Sequence, residues 1–263
     1  MTKESTGVVT ALTIGGSDPS AGAGVQVDAL TLAQLKVFPF SVITAVTAQN
    51  SLGVTVTFPL PPRLVLDQLE AIFRDFGVSV VKTGMLGSKA NAMAVSRFLK
   101  EQKMPLVVDP VLKASDGTPL FEDSDLSVFK EELFPLAILV TPNIEEVRRL
   151  TGISVRDTSD IDDAAKTMYG LGAKWVLIKG GHLKGEDSSD FLYDGKELRR
   201  FPGEKIGTEM RGTGCIFASA IAAHLAQGKN VPEATKLAKE LVTGKIKSAF
   251  SLGEGRPQAL PWT

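Results

Sequence analysis

The feature that most constrains the fold is a repeated alternation of short, β-branched runs with longer segments of helical periodicity. The runs typical of buried strands are residues 8–14, 40–46, 78–82, 106–111, 138–141 and 175–179. The segments with helical periodicity are residues 24–35, 63–76, 89–100, 124–133, 144–150 and 161–171. Strands that alternate with helices form a mainly parallel sheet covered on both faces. The chain is therefore predicted to have an α/β fold with a three-layer αβα arrangement.

The last third of the chain departs from this alternation. Asp194-Gly195 lies between two short strand-like runs within residues 191–198, and this dipeptide predicts a β-hairpin. Two helices are predicted at 213–226 and 232–250, and Pro232 suits the first turn of the second. Since the chain has no internal repeat or linker, residues 1–263 are predicted to form one domain, with residues 1–7 and 251–263 as loose termini.

Charge and composition argue against several classes of protein. A formal net charge of −1 gives no general attraction to nucleic acid or to anionic membranes. The apolar runs are shorter than the ~18 residues that a membrane span needs, and residues 1–7 lack the apolar region of a signal peptide. A single cysteine forms no internal disulfide, and the two histidines lie too far from it to suggest a zinc site. We therefore expect a cytoplasmic protein that binds neither nucleic acid nor membrane.

Glycine and polar residues follow the predicted strands at the points where the strands end. They are the loop of residues 15–24, Gln49, Asp109, Asn143 with Glu146, and the run Lys179-Gly180-Gly181-His182. In sheets of this kind, ligands bind beyond the carboxyl ends of the strands. The loop of residues 15–24 is neither a Walker loop nor a clean dinucleotide fingerprint, but its position predicts that it contacts a ligand.

The run Gly212-Thr213-Gly214-Cys215 predicts a tight loop that enters a buried helix, because small and apolar residues follow it. Glycine lets the backbone approach a ligand closely, and a helix start offers unpaired N–H groups and partial positive charge. Such a site binds anions, most often phosphate. Cys215, the one cysteine of the chain, would lie beside it. The alternative is a glycine-rich loop that only turns the chain before a core helix.

Most of these residues also have a purely structural explanation. Asn143 and Glu146 are three apart at a predicted helix start, where a cap and an N3 carboxylate commonly form a pair. A position on a helix surface, at a strand end or in a surface ion pair would explain the others, which are Asp28, Gln49, Asp109, Lys179, His182 and Arg211.

Seven segments, in order along the chain, resemble the hydroxymethylpyrimidine/phosphomethylpyrimidine kinases of thiamine biosynthesis. They are residues 11–28, 41–54, 82–86, 108–111, 141–143, 179–182 and 212–215. The first two are highly specific, whereas Gly-Thr-Gly marks the wider ribokinase-like superfamily. The resemblance implies a ribokinase-like fold, a homodimer, and the use of ATP and Mg²⁺. It also implies phosphorylation of an aminopyrimidine at its hydroxymethyl group, commonly followed by phosphorylation of the monophosphate.

The resemblance also implies roles for individual residues. Gln49 and Asp28 would hold the pyrimidine, in a pocket lined by Ala23 and Met85. The transfer centre would comprise Gly212, Thr213, Gly214 and Cys215. On the ATP side it places Lys179, Asn143 and Gly181, and for Mg²⁺ it implies Glu146 and Asp109. The Gln49 amide suits this substrate because it can both donate to and accept from the edge of an aminopyrimidine.

Cys215 stands where sugar kinases of the superfamily carry an aspartate base. A helix N-terminus lowers the pKa of a thiol, so we expect Cys215 to accept the proton of the substrate hydroxyl. Arg211 departs from the histidine of many relatives, and residues 112–118 match the family's flap only loosely. Two alternatives remain open: a pyridoxal or pyridoxine kinase of vitamin B6 salvage, and a non-catalytic pyrimidine-binding regulator.

Overall fold

A nine-stranded sheet forms the centre of the part of the chain that the computed structural model describes, residues 7–181, 188–203 and 205–259. The strands are β1 (Thr10–Ser17), β2 (Phe38–Gln49), β3 (Val54–Pro59), β4 (Val80–Thr83), β5 (Leu106–Val108), β6 (Leu139–Val140), β7 (Val176–Ile178), β8 (Asp190–Tyr193) and β9 (Leu198–Phe201). Their order across the sheet is β3-β2-β1-β4-β5-β6-β7-β8-β9. The six strands from β2 to β7 in this order are parallel, and β3, β8 and β9 are antiparallel to their neighbours.

Helices cover both faces of the sheet. They are α1 (Gly24–Gln34), α2 (Pro62–Asp75), α3 (Lys89–Lys100), α4 (Ile144–Thr151), α5 (Ile161–Tyr169), α6 (Thr213–Ala226) and α7 (Val231–Lys247). Because successive side chains of a strand point to opposite faces, Val81 joins the core under α2–α5, whereas Val80 joins the core under α1, α6 and α7. The predicted three-layer αβα fold is confirmed.

The parallel strands bring their carboxyl ends to one edge of the sheet. β1 lies between β2 and β4, and its six inner residues are buried. A parallel strand that is covered on both faces carries such an uninterrupted buried run. The loops that follow β1, β4, β5, β6 and β7 therefore meet at this edge, as the sequence predicts.

Two elements differ from the sequence-based predictions. The strand β3 was not predicted; it pairs antiparallel with β2 after a turn closed by an Asn50 N–H···O=C Gly53 hydrogen bond. The helix predicted at 124–133 is wrong as a regular α-helix. The segment forms a 3-10 turn at Asp123–Asp125, a π-helical turn at Phe129–Leu133 and another 3-10 turn at Phe134–Leu136. Pro135 has no backbone N–H to donate to a carbonyl four residues earlier, so a regular helix does not continue through this position.

Residues 251–259, predicted to be loose, are held against the sheet edge. Phe250 and Gln258 exchange two backbone hydrogen bonds, and the backbone N–H of Arg256 donates to the Ser51 carbonyl at 3.0 Å. The contact is close, because a Cβ at Gly255 would lie 2.1 Å from the Ser51 oxygen. Residues 1–6 and 260–263, also predicted to be loose, lie outside the described residues. In the described ranges, no helix is both long and apolar enough for a membrane crossing.

Candidate active site

The starts of α1 and α6 lie side by side at the carboxyl edge of the sheet. Gly212 precedes α6 with φ +71°, and a Cβ there would lie 2.2 Å from the Gly22 carbonyl oxygen. Gly24 begins α1 with φ +66°, and its N–H donates to Cys215 in the first turn of α6. Ala23 also lies against this loop, with its Cα 3.5 Å from the position of that Gly212 Cβ. Two helix N-termini that converge in this way concentrate N–H groups and positive potential for an anion.

A buried ion pair faces the loop that precedes α6. Lys179 Nζ lies 2.8 Å from Asp109 Oδ1, which also accepts from the Thr141 hydroxyl at 2.9 Å. A Cβ at Gly214 would lie 3.2 Å from Lys179 Nζ. Burial would raise the pKa of Asp109, but the charges of Lys179 and Lys82 hold it below its usual value. The Lys179 ammonium therefore lies next to the predicted anion site.

The nucleotide-side residues Asn143 and Glu146 form a complete capping box at the start of α4. Asn143 Oδ1 accepts from the Glu146 N–H at 2.9 Å, and Glu146 Oε2 accepts from the Asn143 N–H at 2.7 Å. The structural explanation of these two residues, a helix cap, therefore applies. In this position Glu146 also lies close to the Lys179–Asp109 ion pair. Burial raises the pKa of Glu146 to about 7; the charge of Lys179 lowers it, and that of Asp109 raises it further.

The carboxylates at this edge fit a magnesium ion that a polyphosphate helps to hold. In the described ranges, no three His, Cys, Asp or Glu side chains form a metal-binding group. Mg²⁺ needs no such cage, because it is usually bound by one or two carboxylates, substrate phosphates and several waters. Asp109 accepts its two side-chain hydrogen bonds through Oδ1, which leaves Oδ2 toward Gly214 for a ligand. Asp109 and Glu146 thus suit the ion that the sequence predicts.

Replacement of Glu146 by glutamine is expected to flatten the pH dependence of stability. The folded-state pKa of Glu146 lies above its unfolded value, so its protonated form stabilises the fold below about pH 4.5 and this contribution is lost as the pH rises through 7. Glutamine resembles the protonated form at every pH. Urea unfolding without Mg²⁺ should show E146Q more stable than the parent by roughly 1 to 3 kcal/mol at pH 8, and equal to it at pH 4.5. The exposed neighbour variant E145Q should show no such gain; a gain equal at both pH values would contradict the prediction.

The run Lys179-Gly180-Gly181 follows β7 at the carboxyl edge of the sheet. The backbone N–H of Gly180 donates to the buried carboxylate of Asp190 at 3.0 Å, which fixes the turn after β7. Gly181 follows as an exposed residue. His182 lies outside the described residues.

The residues predicted to hold the pyrimidine lie around the first glycine-rich loop, residues 15–24. Met85 contacts this loop, since a Cβ at Gly16 would lie 2.8 Å from the Met85 sulfur, and Met85 packs with Leu120. Gln49 ends β2, and its Oε1 accepts from the Thr47 hydroxyl at 3.2 Å. The side-chain NH₂ of Gln49 therefore remains for another acceptor.

Asp28, which the resemblance places beside the pyrimidine, belongs to a buried hydrogen-bond network. It is 1% exposed, and its carboxylate accepts from Thr13 at 2.5 Å, from Lys82 at 2.7 Å and from Ser219 at 2.7 Å. Three donors from β1, β4 and α6 bind its oxygens, which gives Asp28 a structural role, and its contact with the pyrimidine stays a prediction. Sequence reasoning gave Lys82 no role, although it begins the matching segment 82–86 and is a charged residue inside an otherwise apolar strand run.

Arg211 and the C-terminal segment close the pocket beside Gln49. The buried Arg211 guanidinium donates to Asp18 at 2.8 Å and to Ser20 at 3.0 Å, which ties the first glycine-rich loop to the second. Arg256 donates to the Ser115 carbonyl and so joins the C-terminal segment to the flap of residues 112–118. The cavity that remains has a volume of about 10 Å³ and is lined by Gln49, Ser51, Leu52, Gly53, Val54, Ala114, Ser115, Asp116, Arg211 and Arg256.

The expectation that a helix start lowers the pKa of Cys215 is wrong for this unliganded structure. Burial raises the pKa of the thiol to about 11, and the charges of Asp28 and Asp109 act in the same direction. The charge of Lys82 and the N–H of Gly24 oppose this rise without cancelling it. At neutral pH the Cys215 side chain is therefore a thiol.

Comparisons with known proteins agree with this geometry. The family model described as phosphomethylpyrimidine kinase matches residues 18–259. A hydroxymethylpyrimidine/phosphomethylpyrimidine kinase of Aquifex aeolicus is 41% identical over 247 residues, which are 93% of this chain and 97% of the relative. The thiamine biosynthesis bifunctional protein ThiED of Geobacter sulfurreducens is 48% identical over 93% of this chain, which spans half of that longer protein. A solved structure of Bacillus subtilis pyridoxal kinase with ADP is 35% identical, with a TM-score of 0.88 and 96% of each chain covered.

Proposed function

This chain belongs to the phosphomethylpyrimidine kinase family, and we propose that it uses ATP to phosphorylate 4-amino-5-hydroxymethyl-2-methylpyrimidine and then the resulting monophosphate. This reaction sequence would supply the pyrophosphate used in thiamine diphosphate biosynthesis. The observation that carries the proposal is the loop Gly212–Cys215, whose N–H groups start α6 directly opposite the Lys179–Asp109 ion pair.

Positioning and charge are what these residues contribute to the transfer. Phosphoryl transfer needs little covalent chemistry from the protein and much stabilisation of charge on the transferred group. The backbone N–H groups of residues 212–215 would stabilise that charge, and Lys179 would bind the phosphates of ATP. A bound Mg²⁺, held by Asp109 and Glu146 together with the phosphates and water, would neutralise part of the polyphosphate charge.

Recognition of the aminopyrimidine is assigned to Gln49, with Ala23 and Met85 against the ring. The Gln49 amide carries an acceptor and two donors, which match the amine and ring nitrogen along the substrate's edge. A site built to pair polar edges rejects analogues that lack them strongly.

Pyridoxal is the second candidate substrate. The similarity to the Bacillus subtilis pyridoxal kinase, with a TM-score of 0.88 over 96% of this chain, favours it as an additional or alternative acceptor. Pyridoxal also carries a hydroxymethyl group on an aromatic ring, so the same transfer centre could serve both. The two candidate substrates differ in the ring edge that the Gln49 amide would contact.

The test is ATP consumption by the purified chain with Mg²⁺, in separate reactions with hydroxymethylpyrimidine, its monophosphate and pyridoxal, with products identified by mass. Turnover of both pyrimidines, with pyridoxal much slower, is the expected result. Turnover of hydroxymethylpyrimidine alone would limit the enzyme to the first step. A preference for pyridoxal would move the assignment to vitamin B6 salvage, and pyrimidine binding without any turnover would leave a non-catalytic regulator.

We also propose a cytoplasmic, single-domain homodimer that contacts neither nucleic acid nor membrane. The support for the dimer is an exposed apolar face on β2 and the edge strand β3. Val46 and Phe58 lie opposite each other on this face and are 46% and 62% exposed, and Val56 beside them is 55% exposed. Such a patch at a sheet edge is typical of an interface. Light scattering should give twice the chain mass, and V56K/F58K should give the monomer mass.

A further inference from the structure

A lysine lies in the middle of a strand whose other residues are apolar or hydroxyl-bearing. Lys82 is the third residue of β4 and is 2% exposed. Its ammonium donates to Asp28 Oδ2 at 2.7 Å, and Asp28 is as deeply buried. A buried ion pair of this kind is costly to form, and apolar residues of similar size would often give equal or greater stability. Neither ATP nor the pyrimidine is assigned to Lys82.

The pair is tied to the first turn of α6, which carries Cys215. The second oxygen of Asp28 accepts from the Ser219 hydroxyl at 2.7 Å. Residues four apart in a helix lie on the same face, one turn above the other. Cys215 therefore lies one turn before Ser219 on the face that points toward Asp28 and Lys82. Lys82 contributes directly to the electrostatic environment of the Cys215 sulfur.

The Lys82 ammonium has N–H groups that Asp28 does not use and that can act toward Cys215. Asp28 is the one hydrogen-bond acceptor recorded for Nζ in the part of the chain that the structure describes, and an ammonium has three N–H groups. Gly84 keeps the space beside Nζ free of a side chain, because a Cβ there would lie 3.0 Å from it. Burial would lower the pKa of Lys82, but the charges of Asp28, Cys215 and Asp109 raise it above its usual value, so the group is a cation.

We propose that Lys82 is a positioning residue for the transfer reaction: Asp28 holds its ammonium under the first turn of α6, where it stabilises negative charge on the Cys215 sulfur. This rests on the proposed function in one respect only, the use of Cys215 during transfer. The charged groups that act on the sulfur come from four elements: Lys82 on β4, Asp28 on α1, Asp109 after β5 and Lys179 after β7. Lys82 and Lys179 are the cations among them. Lys179 is paired with Asp109, and the Gly24 N–H at the start of α1 acts in the same direction as Lys82.

The experiment measures the reactivity of Cys215 directly and does not depend on kinase activity. Because the chain has one cysteine, alkylation by iodoacetamide at pH 8, followed by intact mass, reports the thiolate of Cys215 alone. Lys82→Met removes the cation and should slow alkylation by at least about fivefold, since the rate follows the thiolate fraction. Asp28→Asn removes a neighbouring anion, keeps the acceptor for Lys82, and should speed alkylation.

Effects of opposite sign distinguish a charge effect from a structural one. Loosened packing in either variant would expose the thiol and speed alkylation in both. The matched control is Lys239→Met, which breaks another lysine–aspartate pair, Lys239–Asp190, and should leave the alkylation rate unchanged. If Lys82→Met does not fold, Lys82→Gln and Asp28→Asn give the same comparison. Changes of the same sign in folded variants, or no change, would overturn the proposal.

Turnover separates this inference from the proposed function. If both hold, Lys82→Met should lower kcat by about tenfold or more, with KM for the pyrimidine and for ATP within about threefold of the parent, because neither ligand touches Lys82. If alkylation responds as expected in a protein that phosphorylates none of the tested substrates, the charge assignment stands and the proposed function is wrong. Unchanged kcat together with slowed alkylation would remove Lys82 from the reaction.

Discussion

Gly212→Ala is expected to lower kcat/KM by at least about 10³-fold. Gly212 has φ +71°, which an alanine adopts only with strain, and its Cβ would lie 2.2 Å from the Gly22 carbonyl oxygen. The atom that blocks the methyl group is backbone, so either the loop before α1 or the loop before α6 must move. Both loops carry N–H groups of the anion site. Loss of one such donor costs about 10²–10³ in rate, and this variant displaces several together.

Steady-state kinetics with the best pyrimidine substrate, with circular dichroism and thermal unfolding on the same samples, measures this effect. The matched control is Gly228→Ala, because Gly228 has φ +85° but nothing within 4 Å of its Cβ position. It carries the backbone strain without the collision and lies at the far end of α6. Activity of Gly212→Ala within tenfold of the parent, in a folded protein, would show that the loop does not hold the transferred group.

The overall fold could be predicted because each central element carries its own local pattern. β1 and α1 are recognisable one after the other, since a covered parallel strand is continuously apolar and a helix repeats every 3.6 residues. The strand β3 lacks such a pattern. It lies at the sheet edge with most of its residues exposed, so Val54–Pro59 shows no buried face that a sequence pattern could reveal.

The sequence predicted where the candidate site residues lie in the fold better than it predicted their electrostatics. The motifs locate Gly212, Lys179 and Asp109 correctly at one edge, because strand ends in a parallel sheet must meet there. Burial cannot be read from a motif. Asp28 looks like a ligand on a helix until three donors from other elements are seen around its carboxylate. The same holds for Cys215, since its burial and the charges of residues distant in the sequence decide the state of the thiol.

The C-terminal segment shows a second limit. Residues 251–259 contain two glycines and a proline and read as a loose tail. Gly255 is needed for the close contact with the Ser51 carbonyl, and Arg256 reaches the flap at Ser115. These contacts join positions about 140 and 200 residues apart in the chain, so local sequence contains no trace of them.

Cys215→Ala is expected to lower kcat by about 10²-fold or more, within the range of groups that transfer protons. The raised pKa, about 11, makes the thiolate only ~10⁻⁴ of the unliganded enzyme at pH 7. A phosphoryl transfer with a loose transition state asks little of a base, so this small fraction can serve late in the reaction, and binding of cationic Mg²⁺ would increase it. KM for the pyrimidine should change little, because the proposal places the sulfur beside the reacting hydroxyl and not at the ring edge.

The pH dependence distinguishes a proton acceptor at Cys215 from a hydrogen-bonding group. A base acts in its deprotonated form, so kcat of the parent enzyme should rise between pH 7 and 9 as the thiolate fraction rises, and kcat of Cys215→Ala should not. Cys215→Ser supplies the matched control: its hydroxyl keeps a hydrogen bond but ionises far less readily than a thiol. If serine restores most of the rate, Cys215 only positions the substrate hydroxyl. Near-normal turnover of Cys215→Ala at pH 7 would remove the residue from the mechanism and leave the 212–215 amides and Lys179 as the transfer machinery.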